Sequence, residues 1–444
     1  MLSCVSIRRR KKGMTLLIVA VTSGTLIRFD TPAQARSVGL NSNAAAAQAM
    51  PPMADMAEPP RPAAMSPAKC PSGRQLDPAM KVCMAATAKP KPAVMIRINQ
   101  FLAYSATSGP RGQKRVTGPG AWMLMVEKDL SSRNTLHISV MGSLEQLTVG
   151  NIGTPQLLQT ENLDAMHAHD TLMAVEFRDT VKLGTSNSQE LTFLFAPRGG
   201  AAFGPVPYMH RDSAEGNPDA PLGHNMQDGF HDVSTVVGLA YRVERTSLEA
   251  TAFSGQGISW PLPLHSPDSF GLRLTHQIDD HVTLGGSYAD VLTPDDAGGA
   301  EHEKFVAAWI ATGHQIQDFR LRSSIVWGRT RAGRSTAQNS VLAEAVLQRG
   351  ANNLFARAEL LQVTPEQLSL VQAGDSGDPK WVGAVTLGYE RALLKQGPFS
   401  MFAGSSVTKD FVPSAFDGEY GNRPGGVKFF LRMKVGGSTG MDAM

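Results

Sequence analysis

The run Val427-Lys428-Phe429-Phe430-Leu431-Arg432-Met433-Lys434-Val435 decides the fold. Its odd positions are Val, Phe, Leu, Met and Val, and its even positions are Lys, Phe, Arg and Lys. Alternation of this kind belongs to a β-strand with two unlike faces, because successive side chains on a strand point in opposite directions. The same period recurs at Leu136–Leu144 with even positions apolar and at Val233–Tyr241 with odd positions apolar. It returns at Phe319–Trp327, where Arg320 and Arg322 face away from the apolar set, and at Trp381–Tyr389. From Met95 the pattern runs nearly to the C-terminus.

A soluble sandwich would alternate in the same way, so the connections must discriminate. Short connections fall at 131–134, 184–189, 243–246, 279–280, 315–317, 350–353 and 394–398. Long ones lie near 105–118, 149–169, 199–231, 257–267, 291–301, 330–338, 364–379 and 409–425. Strict alternation of short and long is how a transmembrane barrel with tight periplasmic turns and extended outer loops is written. The expectation is an all-β chain whose residues 95–436 form an antiparallel up-and-down barrel of about sixteen strands, with about twelve to fourteen as alternatives. An even number returns both chain ends to one side.

At that size the lumen is wide enough to hold water. Charged side chains such as Glu176, Glu249, Arg273, Arg320, Arg322, Arg357, Glu359 and Arg432 should then point inward, since a charge on the lipid face costs about 2–4 kcal/mol at mid-membrane. The arginines hint at anion preference; arginines and glutamates paired across the lumen would leave it nearly neutral. Outer-membrane barrels usually end on an aromatic residue, whereas here Phe429 and Phe430 are followed by a tail, residues 437–444. The last strand is therefore expected to be recognised internally.

The N-terminus sets the compartment. A basic run at Arg8–Lys12, an apolar run at Gly13–Ile27 and Ala33-Gln34-Ala35 read as a secretory signal peptide, residues 1–35. Its removal takes away Cys4 and leaves 36 basic residues against 38 acidic ones, a net charge of about −2, so nucleic acid is not an expected partner. Residues 36–94 are rich in Ala, Pro and Met and too poor in aromatic and β-branched residues to offset ordering entropy. They read as a disordered periplasmic linker. Within it, Cys70 and Cys83 are expected to form a disulfide after export, with reduced thiols as metal ligands the other reading. Met50, Met53 and Met56 have a spacing that suits Cu(I), and compositional drift in such a segment gives the same pattern.

The unusual chemistry lies between Met166 and Asp232. Five of the eleven histidines are here, in MHAHD (Met166–Asp170), APRGGAAFGPVPYMHR (Ala196–Arg211) and NPDAPLGHNMQDGFHD (Asn217–Asp232). His167 and His169, two apart in an extended chain leading into a strand at Asp170, would share one face and could chelate a transition metal, copper or zinc. His210, His224 and His231 could join from the third long loop. Asp170 and Asp228 complete the candidate set, and Asp232 could orient an imidazole. The competing reading is that these side chains satisfy loop backbone in the barrel mouth. Ser213, with His210 and Asp212 close by, is the one nucleophile arrangement, and no G-x-S-x-G or P-loop motif supports a hydrolase.

These stretches, with QFLAYSATSGPRG, a tryptophan strand at Trp122, LTVGNIGTPQLLQTEN and FHDVSTVVGLAYR, resemble a largely uncharacterised family of bacterial outer-membrane β-barrels. The resemblance spans roughly residues 95–256, and Ala168 stands where the family carries proline. The family often accompanies copper and other heavy-metal efflux systems, so the resemblance implies a metal context and efflux components as partners, and assigns no ligand. The expected protein is a Gram-negative outer-membrane barrel, inserted by the barrel-assembly machinery into outer-membrane lipid. It would be a channel or accessory barrel for small solutes, not an enzyme. The alternative is a non-transporting surface barrel whose His-rich loop is packing.

Overall fold

The computed structural model describes residues 74–76, 83–85, 92–149, 154–158, 169–184, 188–255, 264–294, 300–333, 335–370 and 377–436. All belong to one compact unit, Ser72–Met444. Two three-residue strands, Arg74–Leu76 and Cys83–Ala85, pair with each other. His167, Met50, Met53, Met56 and Cys70 lie outside the described residues, and Cys83 is described only as backbone.

Sixteen principal strands close into an antiparallel barrel among the described residues. In chain order they begin with β1 Ala93–Thr107, β2 Gly120–Asp129, β3 Asn134–Gly142, β4 Ala174–Leu183, β5 Gln189–Gly199 and β6 Val233–Val243. Then follow β7 Thr246–Ser254, β8 Ser269–Gln277, β9 Val282–Pro294, β10 Ala300–Ile316 and β11 Phe319–Ala332. The last are β12 Gln338–Arg349, β13 Asn352–Val363, β14 Lys380–Gln396, β15 Phe399–Phe411 and β16 Gly425–Val435. A short extra strand, Lys114–Thr117, pairs with the end of β1. Closure is made by β16 on β1, with Phe430 opposite Ala103 and Arg432 opposite Phe101, so the final strand lies where its alternation placed it.

The alternation resolves into two faces. Leu102, Leu248, Ile325, Leu387, Phe429 and Leu431 are each about half exposed on the outside, while Phe101, Phe430 and Arg432 are buried inside. An apolar belt around a closed barrel leaves hydrocarbon as its only favourable solvent, and closure satisfies the backbone groups that water would otherwise have to serve. No helix among the described residues is long and apolar enough to cross a membrane; the strands do the crossing.

Most of the named inward charges are paired. Arg273 meets Glu249 at 2.7 Å, Arg357 meets Glu344 at 3.1 Å and Arg432 meets Glu390 at 2.5 Å. Of the two readings of the arginine-rich lumen, the geometry shows the paired one for Arg273, Arg322, Arg357 and Arg432, while Arg320 is exposed.

One boundary differs from expectation. The strand after the MHAHD motif starts at Ala174 rather than Asp170. The reason is local: the Asp170 carbonyl accepts from the Ser143 backbone amide at 3.0 Å, and its carboxylate is drawn to Arg198, so the chain turns before it enters the sheet.

A candidate metal centre inside the barrel

The third long connection, residues 200–232, folds into the lumen and is buried along nearly its whole length. Its entry is fixed by aromatic packing. Phe230 lies 5.0 Å from Phe203 and 4.8 Å from Phe305 of β10, the latter edge to face. Gly204 adopts φ +69°, and a Cβ there would meet the Gln227 carbonyl oxygen at 2.1 Å, so only glycine permits this crossing of the loop's two arms.

Beyond that entry the loop is bonded to the far wall. Arg211 donates to Glu344 of β12 at 2.5 Å and to Asp228 at 2.7 Å. Arg322 of β11 reaches Asp212 at 3.2 Å and Glu215 at 2.9 Å, and Lys434 of β16 reaches Glu215 at 2.6 Å. Burial would raise the Glu215 carboxyl, but Lys434, Arg432 and Arg322 outweigh it and hold it well below the usual range. The Leu222 amide donates to Glu359 at 2.6 Å. Arg211, Arg322, Lys434, Glu215 and Asp228 each have a partner of opposite charge, the condition under which a buried charge is tolerated.

This anchoring brings three of the candidate histidines together. His169 precedes β4, His224 opens a single helical turn His224–Gln227, and His231 precedes β6. Both strands descend from the long-loop end, so their leading histidines meet at that end. One ring nitrogen of each lies within 4.8 Å of the other two, and all three residues are buried. Ring centroids are 5.0 Å apart for His224 and His231 and 5.2 Å for His169 and His231.

Each Nδ1 has an acceptor within reach. His169 Nδ1 is 2.7 Å from Glu145 Oε2, His224 Nδ1 is 2.6 Å from Asp228 Oδ1, and His231 Nδ1 is 3.3 Å from the Asp228 carbonyl oxygen. Acceptors at Nδ1 favour the proton there and the lone pair on Nε2, the supporting arrangement that metal-binding imidazoles have. Among the described residues His231 Nε2 is buried with no hydrogen-bond partner. A buried polar atom left so costs free energy unless something binds it.

Burial favours a neutral ring at His231. Burial pushes the His231 imidazole down to about 3, which leaves its lone pair available at neutral pH. Burial would raise the Asp228 carboxyl, but His224 and Arg211 hold it well below the usual range, so it stays an acceptor. Asp232 behaves likewise against His231 and Arg198. Tyr208 closes one side, its ring 5.1 Å from His224 and edge to face; burial and then Glu145 raise its phenol well above the usual value, so it remains protonated.

The remaining candidates lie elsewhere. Asp170 pairs with Arg198, which also meets Asp232 at 3.2 Å. Asp228 supports two histidines and does not itself face the cluster through its carboxylate. His210 is turned away by the short turn Tyr208–His210 and places Nε2 3.0 Å from Met141 Sδ. The Ser213, His210 and Asp212 trio is not assembled: Ser213 bonds Ser324 and Glu344 at 2.7 and 2.9 Å, and Asp212 is taken by Arg322. Glu145, which orients His169, lies just past β3 in a segment with no motif, and only its contact identifies it.

No protein-family model matches this chain, and no curated protein does. Solved structures do. The anion-selective porin from Comamonas acidovorans matches with a TM-score of 0.50 at 10% identity, covering 78% of this chain and all of that one. Salmonella typhi OmpF in complex with daunomycin matches at 0.48 and 9% identity, covering 77% of this chain and 97% of the other. OmpT, an outer membrane protein of Vibrio cholerae, matches at 0.46 and 9% identity with the same coverage. At such identities the likeness is one of fold.

Proposed function

We propose that this chain is an outer-membrane barrel that binds one transition-metal ion, copper or zinc, at His169, His224 and His231, and that its third loop couples the ion to passage through the lumen. The observation that carries the reading is the set of three buried imidazoles, each with a ring nitrogen within 4.8 Å of one on the other two, and an acceptor near every Nδ1. A triangle with 4.8 Å sides has its centre about 2.8 Å from each corner, so contraction by under about 1 Å reaches the roughly 2.0–2.1 Å of zinc–imidazole bonds. Imidazole nitrogens suit a borderline divalent ion. With three protein ligands, one coordination position remains for water or a passing anion.

Metal content of the folded, detergent-solubilised protein tests this. After chelation and reloading with zinc, His169→Ala/His231→Ala is expected to lose one equivalent of zinc relative to wild type, and Met141→Leu to lose none. Equal loading in wild type and the double histidine variant would refute the site.

A second reading draws on the filling of the lumen. The loop is buried, and the cavity beside it, lined by Met209 and His210, is about 100 Å³, which favours a barrel closed to solutes at rest. Planar-bilayer conductance, with and without zinc, separates the two: current that changes with metal supports a gated channel, and silence in both conditions supports a non-transporting barrel.

A further inference from the structure

Four methionines and His210 gather beside the loop at its Tyr208–His210 turn. Met123 of β2 and Met141 of β3 are register partners on the inward face. The Met173 amide donates to the Met141 carbonyl at 2.8 Å. Met141 and Met173 are buried in one cluster with Met123 and Met209 packed against it. His210 Nε2 sits 3.0 Å from Met141 Sδ.

We propose that Met123, Met141, Met173, Met209 and His210 form a second site, for a soft monovalent d10 cation such as Cu(I) or Ag(I).

The inward face of a membrane barrel is ordinarily polar, and a packed core needs no thioethers, since leucine fills the same volume with less rotamer freedom to lose. Thioether sulfur is a soft, uncharged donor that suits Cu(I). No carboxylate has a hydrogen bond to His210 or to these sulfurs among the described residues, so the donor set is neutral and favours low charge. Burial brings the His210 imidazole down to about 4, with Arg97 and His169 lowering it further and Glu176 raising it, which leaves it a neutral donor. A cavity of about 100 Å³ is lined by Met123, Met209, His210 and the end of β16 at Val435, which gives the cluster an approach from the short-turn end of the barrel. The site shares no ligand with the three-histidine centre, and the two differ in hardness: imidazole nitrogen for a divalent ion there, sulfur for a monovalent ion here.

The test is a silver titration of the full chain, folded in detergent, labelled with [methyl-13C]methionine and held in chloride-free buffer. Methyl signals are assigned by single Met→Leu variants. The methyls of Met123, Met141, Met173 and Met209 are expected to shift together and saturate with one Ag(I), whatever Met50, Met53 and Met56 bind. Met141→Leu, close to isosteric, is expected to weaken that response at least tenfold with heat-modifiable migration on gels unchanged. His169→Ala/His231→Ala should leave the silver response intact, so loss of zinc with retained silver removes only the first site. Unmoved methyls at saturating silver, or a Met141→Leu affinity within twofold of wild type, would overturn the proposal.

Discussion

Replacing Asp228 by Asn tests the three-histidine centre without touching a ligand. The carboxylate is fully enclosed; one oxygen accepts from His224 Nδ1 at 2.6 Å and the other from Arg211 Nη1 at 2.7 Å. An amide has one oxygen and one NH₂ group, so it can accept on one side only. If its oxygen faces Arg211, its NH₂ meets His224 Nδ1 and moves the imidazole proton to Nε2, where a metal would bind. If its oxygen faces His224, two donors oppose each other at Arg211. Loss of such a supporting carboxylate lowers metal affinity about 10- to 100-fold, or about 1.4–2.8 kcal/mol. Because Glu344 still holds Arg211 at 2.5 Å, the stability loss should fall at or below the lower end of the roughly 3–5 kcal/mol for breaking a buried pair. Zinc competition against a chromophoric chelator, on protein whose heat-modifiable gel shift matches wild type, measures the first figure. A dissociation constant within twofold of wild type in the folded variant would refute the assignment of Nε2 as donor.

Other outcomes follow from the same geometry. In metal-free protein the His231 and His210 imidazoles titrate near about 3 and about 4, below the roughly 6.5 of an unfolded histidine. Between those values the unfolded chain holds the extra protons, so stability is complete above about pH 6.5 and falls as the pH drops toward 3, by several kcal/mol at most; urea midpoints in lipid vesicles at pH 7.5, 5.5 and 4.5 should decline in that order, and a flat series would contradict the burial of both rings. Phe230→Ala removes the ring that holds the loop against Phe203 and Phe305 and, as a partly buried aromatic, should cost somewhat less than the about 3–5 kcal/mol of a fully buried one; raised or noisier bilayer current is expected, and current identical to wild type would show that the loop is held without it. Leu387→Arg sets a charge on the outer face, where Leu387 is 57% exposed, and should cut folding yield into lipid through a penalty of about 2–4 kcal/mol near the midplane; unchanged yield would mean this face does not meet hydrocarbon.

The barrel was legible because its two signals are local and repeat. Val427–Val435 shows which face is apolar without knowledge of its neighbours, and connections such as Val243–Thr246 and Asp279–Asp280 show where the chain reverses. The position of the third loop followed from counting those reversals. Its path did not, because Arg211 finds Glu344 across 133 positions and Lys434 finds Glu215 across 219, and nothing at either end marks the other. The same limit governed the site. His169, His224 and His231 were named from residue type and from strands that descend from one rim, whereas His210 was grouped with them although one short turn carries it to Met141. Glu145 carried no signal at all.

Those long-range pairs bear on why the loop is built with charge rather than apolar packing alone. Replacing a buried ion pair by matched hydrophobic groups is often neutral or stabilising, so Arg211 with Glu344 and Asp228 is not explained by stability. What the pairs supply is position: Asp228 is fixed through Arg211 to the wall at Glu344, and Asp228 in turn holds His224 through its carboxylate and His231 through its carbonyl. Two of the three imidazoles are thus referenced to a strand on the far side of the barrel, and the third is referenced through Glu145 to the near side. A centre suspended in this way between opposite walls feels any shift of the loop as a change in ligand spacing, and an ion bound there would resist that shift. Metal binding and loop position are then linked reciprocally, so zinc that lowers bilayer current in wild type should leave it unchanged in Asp228→Asn at concentrations that saturate only the intact site.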